Sequence, residues 1–357
     1  MAYTTIDKSS LHFNTVQWTG NASTNAITGV GFRPDWIWGK SHTSGYSHQL
    51  YDVVRGATYA LKTNGANAQE TLSTGLTSFD SDGFTLGSNT NINASGHTVT
   101  AWNWKAGNSQ GSSNTDGSIN TTYTSVNTTA GFSISQYTGT GSNATIGHGL
   151  GAVPSVVIVK RYATQGDWIG YFKALGNTKN ARFNTTDAAD TNSTVWNSTT
   201  PTSSVFSVGT FGETNSSGGT FVAYCFAEKK GFSKFGSYTG NGNTDGTFVY
   251  TGFKPAFVML KYASPSGGVG NWGIHDSKRD VDNPVQKGLI ANSTAIEDSH
   301  DFMDILSNGF KLKSTSSNRN ENGSTYIFMA FAEEPIVSSN GVPATARYWL
   351  IIINLKV

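Results

Sequence analysis

The chain has 357 residues, a formal net charge of +1, 13% charged residues and 12% aromatic residues. Disordered chains are poorer in aromatic residues and more highly charged, and proteins that bind nucleic acid or an anionic membrane carry basic blocks, so the composition disfavours these classes. The single cysteine, Cys225, rules out a disulfide framework within the chain, and we expect it to be a small buried apolar residue.

The first residues contain no apolar segment of the kind that a secretory signal needs, and the apolar run at 348–353 is too short to cross a membrane. We therefore expect a soluble protein that is synthesised in a cytoplasm. Residues 11–20 alternate between apolar and polar side chains, which predicts a half-buried strand, and the same opening recurs at 132–139 and 235–240.

A set of landmarks then occurs three times. Each copy has a proline, an apolar run ending in lysine, an alternating strand around a phenylalanine, and an aromatic closing strand. The landmarks lie at 34–40, 83–86 and 99–104, at 154–160, 205–208 and 221–228, and at 255–261, 309–312 and 326–333. The spacing from proline to lysine is the same in all copies and later spacings grow slightly, as loop insertions between fixed strands would produce.

The apolar runs after Pro34, Pro154 and Pro255 are continuous, which indicates strands that are covered on both faces. A proline fits at the mouth of such a strand, where its missing N–H removes no ladder bond. The lysine that ends each run is expected to extend out at the sheet edge or to pair locally. A catalytic lysine is the sharper hypothesis, but no partner for carbonyl chemistry recurs with it.

Frequent turn signals and the lack of a convincing amphipathic helix predict an all-β fold with three tandem antiparallel β-sandwich domains. The predicted domains are repeat 1 (1–107), a Ser/Thr/Asn/Gly-rich linker or surface-wrapping arm (108–131), repeat 2 (132–229), repeat 3 (230–335) and a C-terminal arm (336–357). In that arm, a possible inter-subunit strand would add to a neighbouring sheet edge. Its residues are Tyr348, Trp349, Leu350, Ile351 and Ile352.

The sequence offers little catalytic or metal chemistry, and we predict no catalytic residues, no cofactor and no metal. The seven histidines lack metal-ligand spacing and are expected at the surface or in loops; a His/Asp pair is conceivable only near His48 or at His275–Asp276. Asp80 and Asp82 resemble the start of a calcium loop, but a β-turn explains them better. Three further aspartates are spaced as on one face of a short helical turn, without equivalents in the other copies. They are Asp298, Asp301 and Asp304.

Two other features have competing interpretations. Asp52 with Arg55, and Asp276 with Arg279, are expected to be ion pairs that fix a loop rather than sites. Trp102 and Trp104 alternate with small or polar residues and are expected in the core, whereas Trp168 and Trp272 adjoin Gly-rich loops and are the candidates for exposed, glycan-stacking residues.

The pattern resembles a family of virion proteins from tailed phages, especially phages of cyanobacteria and marine bacteria. The matching segments are 1–7, 17–20, 101–107, 148–151, 222–228, 234–242 and 329–333. Proteins of this kind are usually called tail-fibre-like. The resemblance implies concanavalin A/lectin-like or jelly-roll-like β-sandwich units, synthesis in a host bacterial cytoplasm, a place on the virion surface and no defined catalytic residues. The terminal stretch 348–357 departs from the pattern.

Three functions follow as hypotheses. The first is an oligomeric structural protein outside the phage particle, a head-decoration (cement) protein or, alternatively, a tail-fibre adhesin for host-surface glycans. Its partners would be the major capsid protein or tail proteins and further copies of itself, with a trimer favoured and neither nucleic acid nor membrane involved. The others are a carbohydrate-binding module without an assembly role and, with least support, a polysaccharide-degrading enzyme, which would need carboxylates clustered in a groove.

Overall fold

A computed structural model describes residues 3–264 and 270–343. It confirms the all-β prediction, because helix in the described part of the chain is limited to a 3-10 turn over Ser9–Leu11 and two four-residue helices, α1 (Thr90–Asn93) and α2 (Gly212–Asn215). The strands of repeat 1 are β1 (Phe13–Thr19), β2 (Asn25–Thr28), β3 (Trp36–Ser41), β4 (Gln49–Asp52), β5 (Tyr59–Ala60), β6 (Glu70–Thr71), β7 (Leu76–Asp80), β8 (Gly83–Leu86) and β9 (Thr98–Trp104).

The remaining strands belong to the connector and to repeats 2 and 3. The connector and repeat 2 contain β10 (Tyr123–Asn127), β11 (Phe132–Thr138), β12 (Ala144–Gly147), β13 (Val156–Arg161), β14 (Trp168–Phe172), β15 (Lys179–Arg182), β16 (Asp190–Thr191), β17 (Val205–Val208) and β18 (Thr220–Phe226). Repeat 3 contains β19 (Ser233–Thr239), β20 (Phe248–Tyr250), β21 (Phe253–Tyr262), β22 (Gly273–Asp276), β23 (Val285–Ile290), β24 (Asp298–Leu306), β25 (Gly309–Leu312) and β26 (Thr325–Pro335).

The central four-strand order is the same in each repeat: opening strand, closing strand, strand after the proline, and the strand that follows it. The orders are β1-β9-β3-β4, β11-β18-β13-β14 and β19-β26-β21-β22. Repeats 1 and 2 also have small separate sheets, β2-β8-β7 and β12-β17, whereas in repeat 3 the corresponding strands join the larger sheet and make it eight-stranded and nearly closed.

Strand register makes the repeats comparable residue by residue. Trp36, Val156 and Phe257 each lie two residues after the repeated proline, and each pairs with an aromatic residue of the closing strand. Those partners are Trp104, Phe226 and Phe331. Pro34 and Pro154 precede their strands, as predicted. Pro255 instead lies within β21, so the predicted placement at a strand mouth is wrong there; a register shift in the pairing with β26 accommodates it.

Alternate residues of the strand after the proline enter two different cores, which confirms that this strand is covered on both faces. Trp36, Ile158 and Met259 belong to one hydrophobic cluster, the shared core, to which all three repeats contribute. Ile37 and Val157 point to the opposite faces of their sheets and into separate local cores beneath the small sheets. Repeat 3 has its own local core as well.

The shared core is strongly aromatic around the point where the three repeats meet. The Trp36 ring lies 4.5 Å from Trp104 and 4.6 Å from Tyr224 of repeat 2, measured between ring centroids. Trp104 in turn contacts Phe257 and Phe331 of repeat 3. The repeats are therefore held together by one interior that none of them encloses alone.

The connector packs onto repeat 2. Strand β10 adds to the edge of β11, and Ile119 lies in the local core of repeat 2. Its start is fixed to repeat 1, because the buried Asp35 carboxylate accepts hydrogen bonds from the N–H groups of Ala106 (2.7 Å) and Asn108 (2.9 Å). The connector therefore extends the larger sheet of repeat 2 by one strand.

Candidate functional site

Trp168 and Trp272 are buried, so the prediction that they are exposed glycan stackers is wrong. Their relative exposures are 1% and 0%. The Trp272 ring stacks on Phe183 of repeat 2 at 4.2 Å between centroids, and the Trp168 ring stacks on Tyr224. Gly166 and Gly270, two residues before these rings, each donate a backbone N–H to a carbonyl of the preceding repeat, and a ring buried in this way cannot receive a sugar. Trp102 and Trp104 are buried as predicted.

Each of the two tryptophans donates a hydrogen bond to the preceding repeat. The indole N–H of Trp168 donates to the Lys62 carbonyl of repeat 1 at 2.8 Å, and that of Trp272 donates to the Arg182 carbonyl of repeat 2 at 2.8 Å. In repeat 1 the equivalent position, immediately before β4, is His48. Its Nε2 lies 3.0 Å from the Ile290 carbonyl of repeat 3.

His48 completes the ring of repeats as a neutral donor. Its Nδ1 accepts the indole N–H of Trp38 at 2.9 Å, so the ring proton sits on Nε2 and is donated to Ile290. Burial lowers the pKa of His48 to about 3, which keeps the imidazole neutral. Repeat 2 thus binds repeat 1, repeat 3 binds repeat 2, and repeat 1 binds repeat 3.

Lys160 and Lys261 lie at the same interfaces, whereas Lys40 donates to carbonyls of its own repeat. Lys40, Lys160 and Lys261 are fully buried, so the expectation that they extend outward is wrong and the alternative of local pairing is closer. Lys160 donates to the carbonyls of Gly166 and of Ala66 in repeat 1, and Lys261 donates to those of Gly270 and of Thr185 in repeat 2. Burial lowers the pKa of each lysine to about 8.

These lysines predict a stability that rises with pH. Because their pKa is about 8 in the folded protein and 10.5 in the unfolded chain, the unfolded chain binds more protons between those values. The free energy of unfolding should therefore increase between about pH 8 and 9.5, by at most about 1.4 kcal/mol per pH unit for each lysine. Urea unfolding at several pH values measures this slope.

The matched variants for this experiment are Lys160→Met, which removes one buried ammonium group, and Lys8→Met, which removes an exposed one. We expect the first to reduce the slope and the second to leave it unchanged. A wild-type profile that is flat from about pH 8 to 9.5 would contradict the assignment of these lysines as buried charges.

The predicted Asp–Arg ion pairs are confirmed, and both are buried. Arg55 Nε lies 2.6 Å from Asp52 Oδ2, and Arg279 Nε lies 2.6 Å from Asp276 Oδ2. Each aspartate also accepts a hydrogen bond from the next repeat. Tyr224 Oη donates to Asp52 at 2.7 Å, and Trp102 Nε1 donates to Asp276 at 3.0 Å. The pairs therefore fix repeat interfaces as well as loops.

The interface of repeats 2 and 3 has apolar residues at all three positions that hold the aspartate, the arginine and the hydrogen-bonded aromatic residue elsewhere. By register, Phe172 of repeat 2 occupies the position of Asp52, and Met329 of repeat 3 occupies that of Tyr224. Leu175, three residues after Phe172, corresponds to Arg55. Phe172 and Met329 belong to the shared core and Leu175 packs against it. A buried charge without a partner is costly, so the carboxylate, guanidinium and hydroxyl are lost together.

A cleft of about 250 Å³ opens at the interface of repeats 1 and 2. We call it the first-interface cleft. It is lined by residues of repeat 1, the connector and repeat 2. They are Val54, Arg55, Tyr59, Gln69, Gln110, Tyr123, Gln136 and Tyr162. The sequence did not reveal this site, because its residues come from separate segments of repeat 1, the connector and repeat 2.

Hydrogen bonds order the walls of the cleft. The Arg55 guanidinium donates to Gln69 Oε1 at 3.2 Å and to the Tyr59 carbonyl at 3.0 Å. Gln110 Nε2 donates to the Val54 carbonyl at 3.0 Å, which holds the connector against repeat 1. Gln136 donates to the Tyr162 hydroxyl. The polar side chains are thus positioned by the protein before any ligand arrives.

The histidines are more buried than the sequence predicts. His48, His148 and His275 are fully buried, and burial lowers the pKa of all three. His275 and Asp276 are neighbours on β22, so their side chains point to opposite faces of the sheet and do not form a dyad. Arg319 lies 3.5 Å from His275, while Asp276 is held by Arg279 and Trp102.

The carboxylates that resembled other sites also have structural roles. Asp80 and Asp82 lie at the turn between β7 and β8, as the β-turn interpretation predicts, and Asp82 accepts hydrogen bonds from the N–H groups of Gly29 and Gly31. Asp298, Asp301 and Asp304 lie on strand β24, so the helical turn expected for them is wrong. Among residues 3–264 and 270–343, no group of three metal-ligating side chains could hold a metal ion.

Two further predictions concern single segments. Cys225 is fully buried in the local core of repeat 2, as predicted, and burial raises the pKa of its thiol. The predicted inter-subunit strand at Tyr348–Ile352 lies outside the described residues. Within the described residues, no helix is both long and apolar enough to span a bilayer.

The sheets, the shared core and the interface contacts define a class: an all-β protein in which three repeats close a ring around one aromatic interior. The chain belongs to the family described as a domain of unknown function (DUF7483), which matches residues 8–335. No match was found among curated proteins or among solved structures.

Proposed function

We propose that the protein is a non-enzymatic structural protein on the exterior of a tailed-phage virion, most concretely a head-decoration (cement) protein. The proposal rests on one observation: the residues that recur in the sequence hold the three repeats together. The proline-led strands form the shared core, and the tryptophans and lysines join one repeat to the next. The resemblance of the sequence pattern to phage virion proteins supplies the location.

We infer that each repeat is a lectin-like or jelly-roll-like sandwich. In repeats 1 and 2, residues of the small sheet and of one face of the larger sheet share a local core, as two packed layers do. In repeat 3 the corresponding core lies inside the nearly closed sheet. Three such units around one interior give a compact body with a fixed outer surface, which binds a lattice without a large ordering cost.

The proposal includes oligomerisation, with a trimer favoured, and contact with the major capsid protein. Because the ring of repeats closes within one chain, these contacts must lie outside the shared core. Phe248 and Tyr250 on β20 are 44% and 55% exposed and offer apolar surface for this purpose. Lys230 and Lys234 lie beside Tyr250 in one open groove.

Immunogold electron microscopy of purified virions, with antibodies against the protein, tests the proposal. We expect label distributed over the head, and an amount of protein comparable to that of the major capsid protein on a calibrated gel. Label confined to the tail, in far smaller amount, would support the alternative of a tail-fibre adhesin. Unlabelled particles would contradict a virion location altogether.

The adhesin alternative is favoured by one observation, the first-interface cleft, whose tyrosine and glutamine lining suits a polar ligand. A polysaccharide-degrading enzyme has less support. Its hypothesis requires carboxylates facing each other across a groove, and the first-interface cleft is lined by aromatic, amide, aliphatic and guanidinium groups.

A further inference from the structure

The first-interface cleft is a feature of one interface only, as a comparison of equivalent positions shows. The residue two positions after the repeated lysine is Tyr162 in repeat 2, His42 in repeat 1 and Ala263 in repeat 3. The residues of the neighbouring repeat that face these three positions are Gln69, Glu297 and Ala189, in the same order. The N–H of Gln69 donates to the Tyr162 carbonyl at 2.7 Å, and that of Glu297 donates to the His42 carbonyl at 3.0 Å, which establishes the first two pairs as equivalent.

The assignment of Ala189 rests on a second pair of backbone bonds. Gly166 donates to the Ala66 carbonyl and Gly270 donates to the Thr186 carbonyl, so Ala66 and Thr186 are equivalent. Gln69 and Ala189 lie three residues beyond them.

The other two interfaces use these positions for packing and charge. Between repeats 2 and 3, Ala189 and Ala263 pack against the shared core. Between repeats 3 and 1, the Glu297 carboxylate binds Arg279 at 2.8 Å and lies 3.8 Å from His42. Only the interface of repeats 1 and 2 places a tyrosine and an amide there, and only there does the connector add a further wall with Gln110 and Tyr123.

The lining is polar and aromatic, and it carries no unpaired charge. The one charged group, Arg55, already binds the Asp52 carboxylate, so the cleft offers no free charge for an anion. No carboxylate is among the described residues that line it, which disfavours a cation. The hydroxyls of Tyr59 and Tyr123 and the Oε1 atom of Gln110 have no hydrogen-bond partner among the described residues.

These groups match one ligand chemistry. Tyrosine rings provide a flat apolar face and a hydroxyl at the edge, and glutamine amides provide both donors and acceptors. A neutral sugar has the complementary surfaces, apolar C–H faces ringed by hydroxyl groups. A pocket that is largely formed in advance, with a few placed polar groups, is typical of small-ligand sites. We propose that the first-interface cleft binds a neutral saccharide.

The experiment is a glycan array probed with the full-length protein, carrying neutral oligosaccharides and their sialylated counterparts. We expect binding to neutral glycans, followed by calorimetry with the best neutral oligosaccharide. Tyr59→Ala and Tyr123→Ala should each weaken that binding at least roughly tenfold, because each removes a ring and a hydroxyl from the cleft.

The double variant Gln69→Ala with Tyr162→Ala is the sharpest test, because it installs the alanines that the protein already uses between repeats 2 and 3. It should fold, with an unchanged circular dichroism spectrum, and lose binding. Val281→Ala, which removes an exposed apolar side chain of repeat 3 outside the cleft, is the control and should retain the wild-type affinity.

The proposal is overturned if no neutral glycan binds, if only sialylated glycans bind, or if the cleft variants bind as well as Val281→Ala. Its outcome is separate from that of the virion role. A decoration protein without a ligand would fail this test and still be found on the head, whereas a saccharide-binding protein could pass it from any position on the particle.

Discussion

Replacing Trp104 with alanine is expected to destabilise all three repeats together, by about 3–5 kcal/mol. The Trp104 ring contacts Phe13 and Trp36 of repeat 1 and Phe257 and Phe331 of repeat 3, so the cavity would open where the repeats meet. Urea unfolding followed by fluorescence measures the loss. Hydrogen exchange should show faster exchange in β21 and β26 as well as in β9.

Trp104→Phe is the matched control. The equivalent positions hold Phe226 and Phe331, and Trp104 Nε1 is buried without a hydrogen-bond partner among the described residues. Phenylalanine therefore keeps most of the packing and removes an unsatisfied N–H group, and we expect a loss of about 1 kcal/mol or less. If Trp104→Ala accelerated exchange in repeat 1 alone, the shared core would not couple the repeats.

Asp52→Ala is expected to cost about 3–5 kcal/mol, because it leaves the Arg55 guanidinium buried without a counter-charge. It also removes the acceptor of the Tyr224 hydroxyl, which joins repeat 2 to repeat 1. The free energy of unfolding in urea measures the effect. A loss below about 1 kcal/mol would mean that water reaches Arg55 and that the pair is not the closed interface contact described above.

The protein itself supplies the compensating variant. Asp52→Phe, Arg55→Leu and Tyr224→Met together install the residues found at the interface of repeats 2 and 3, namely Phe172, Leu175 and Met329. Buried ion pairs can be exchanged for well-packed apolar groups with little loss of stability. We expect the triple variant to recover at least half of the stability that Asp52→Ala loses, and the recovery would show that the three positions act as one unit.

The three interfaces show how one repeated unit can have different chemistry at each junction. The tryptophan or histidine donor that joins neighbouring repeats occurs at every interface. The positions around it vary in sets: two interfaces have an ion pair with a hydrogen-bonded aromatic residue, and one has an apolar set. The saccharide cleft that we propose uses this freedom at a single junction.

The amino-acid sequence by itself determined the all-β class, the threefold repetition and the strands that are covered on both faces. These properties follow from local pattern. Continuous apolar runs after Pro34, Pro154 and Pro255 require cover on both faces wherever the strands lie, and landmarks that recur in the same order at similar spacing indicate the same set of strands. The register confirms this, because Trp36, Val156 and Phe257 occupy one position in three sheets.

The tertiary structure alone decided what covers each strand and loop. The Gly-rich segments beside Trp168 and Trp272 are typical of exposed turns, but both indole rings are buried and donate to carbonyls of the preceding repeat. Nothing in the sequence shows that His48 takes the place of these tryptophans, because the two residue types share only a ring N–H donor. The first-interface cleft was hidden in the sequence for the same reason. Its residues come from different repeats and from the connector, and their spacing along the chain shows no periodic pattern.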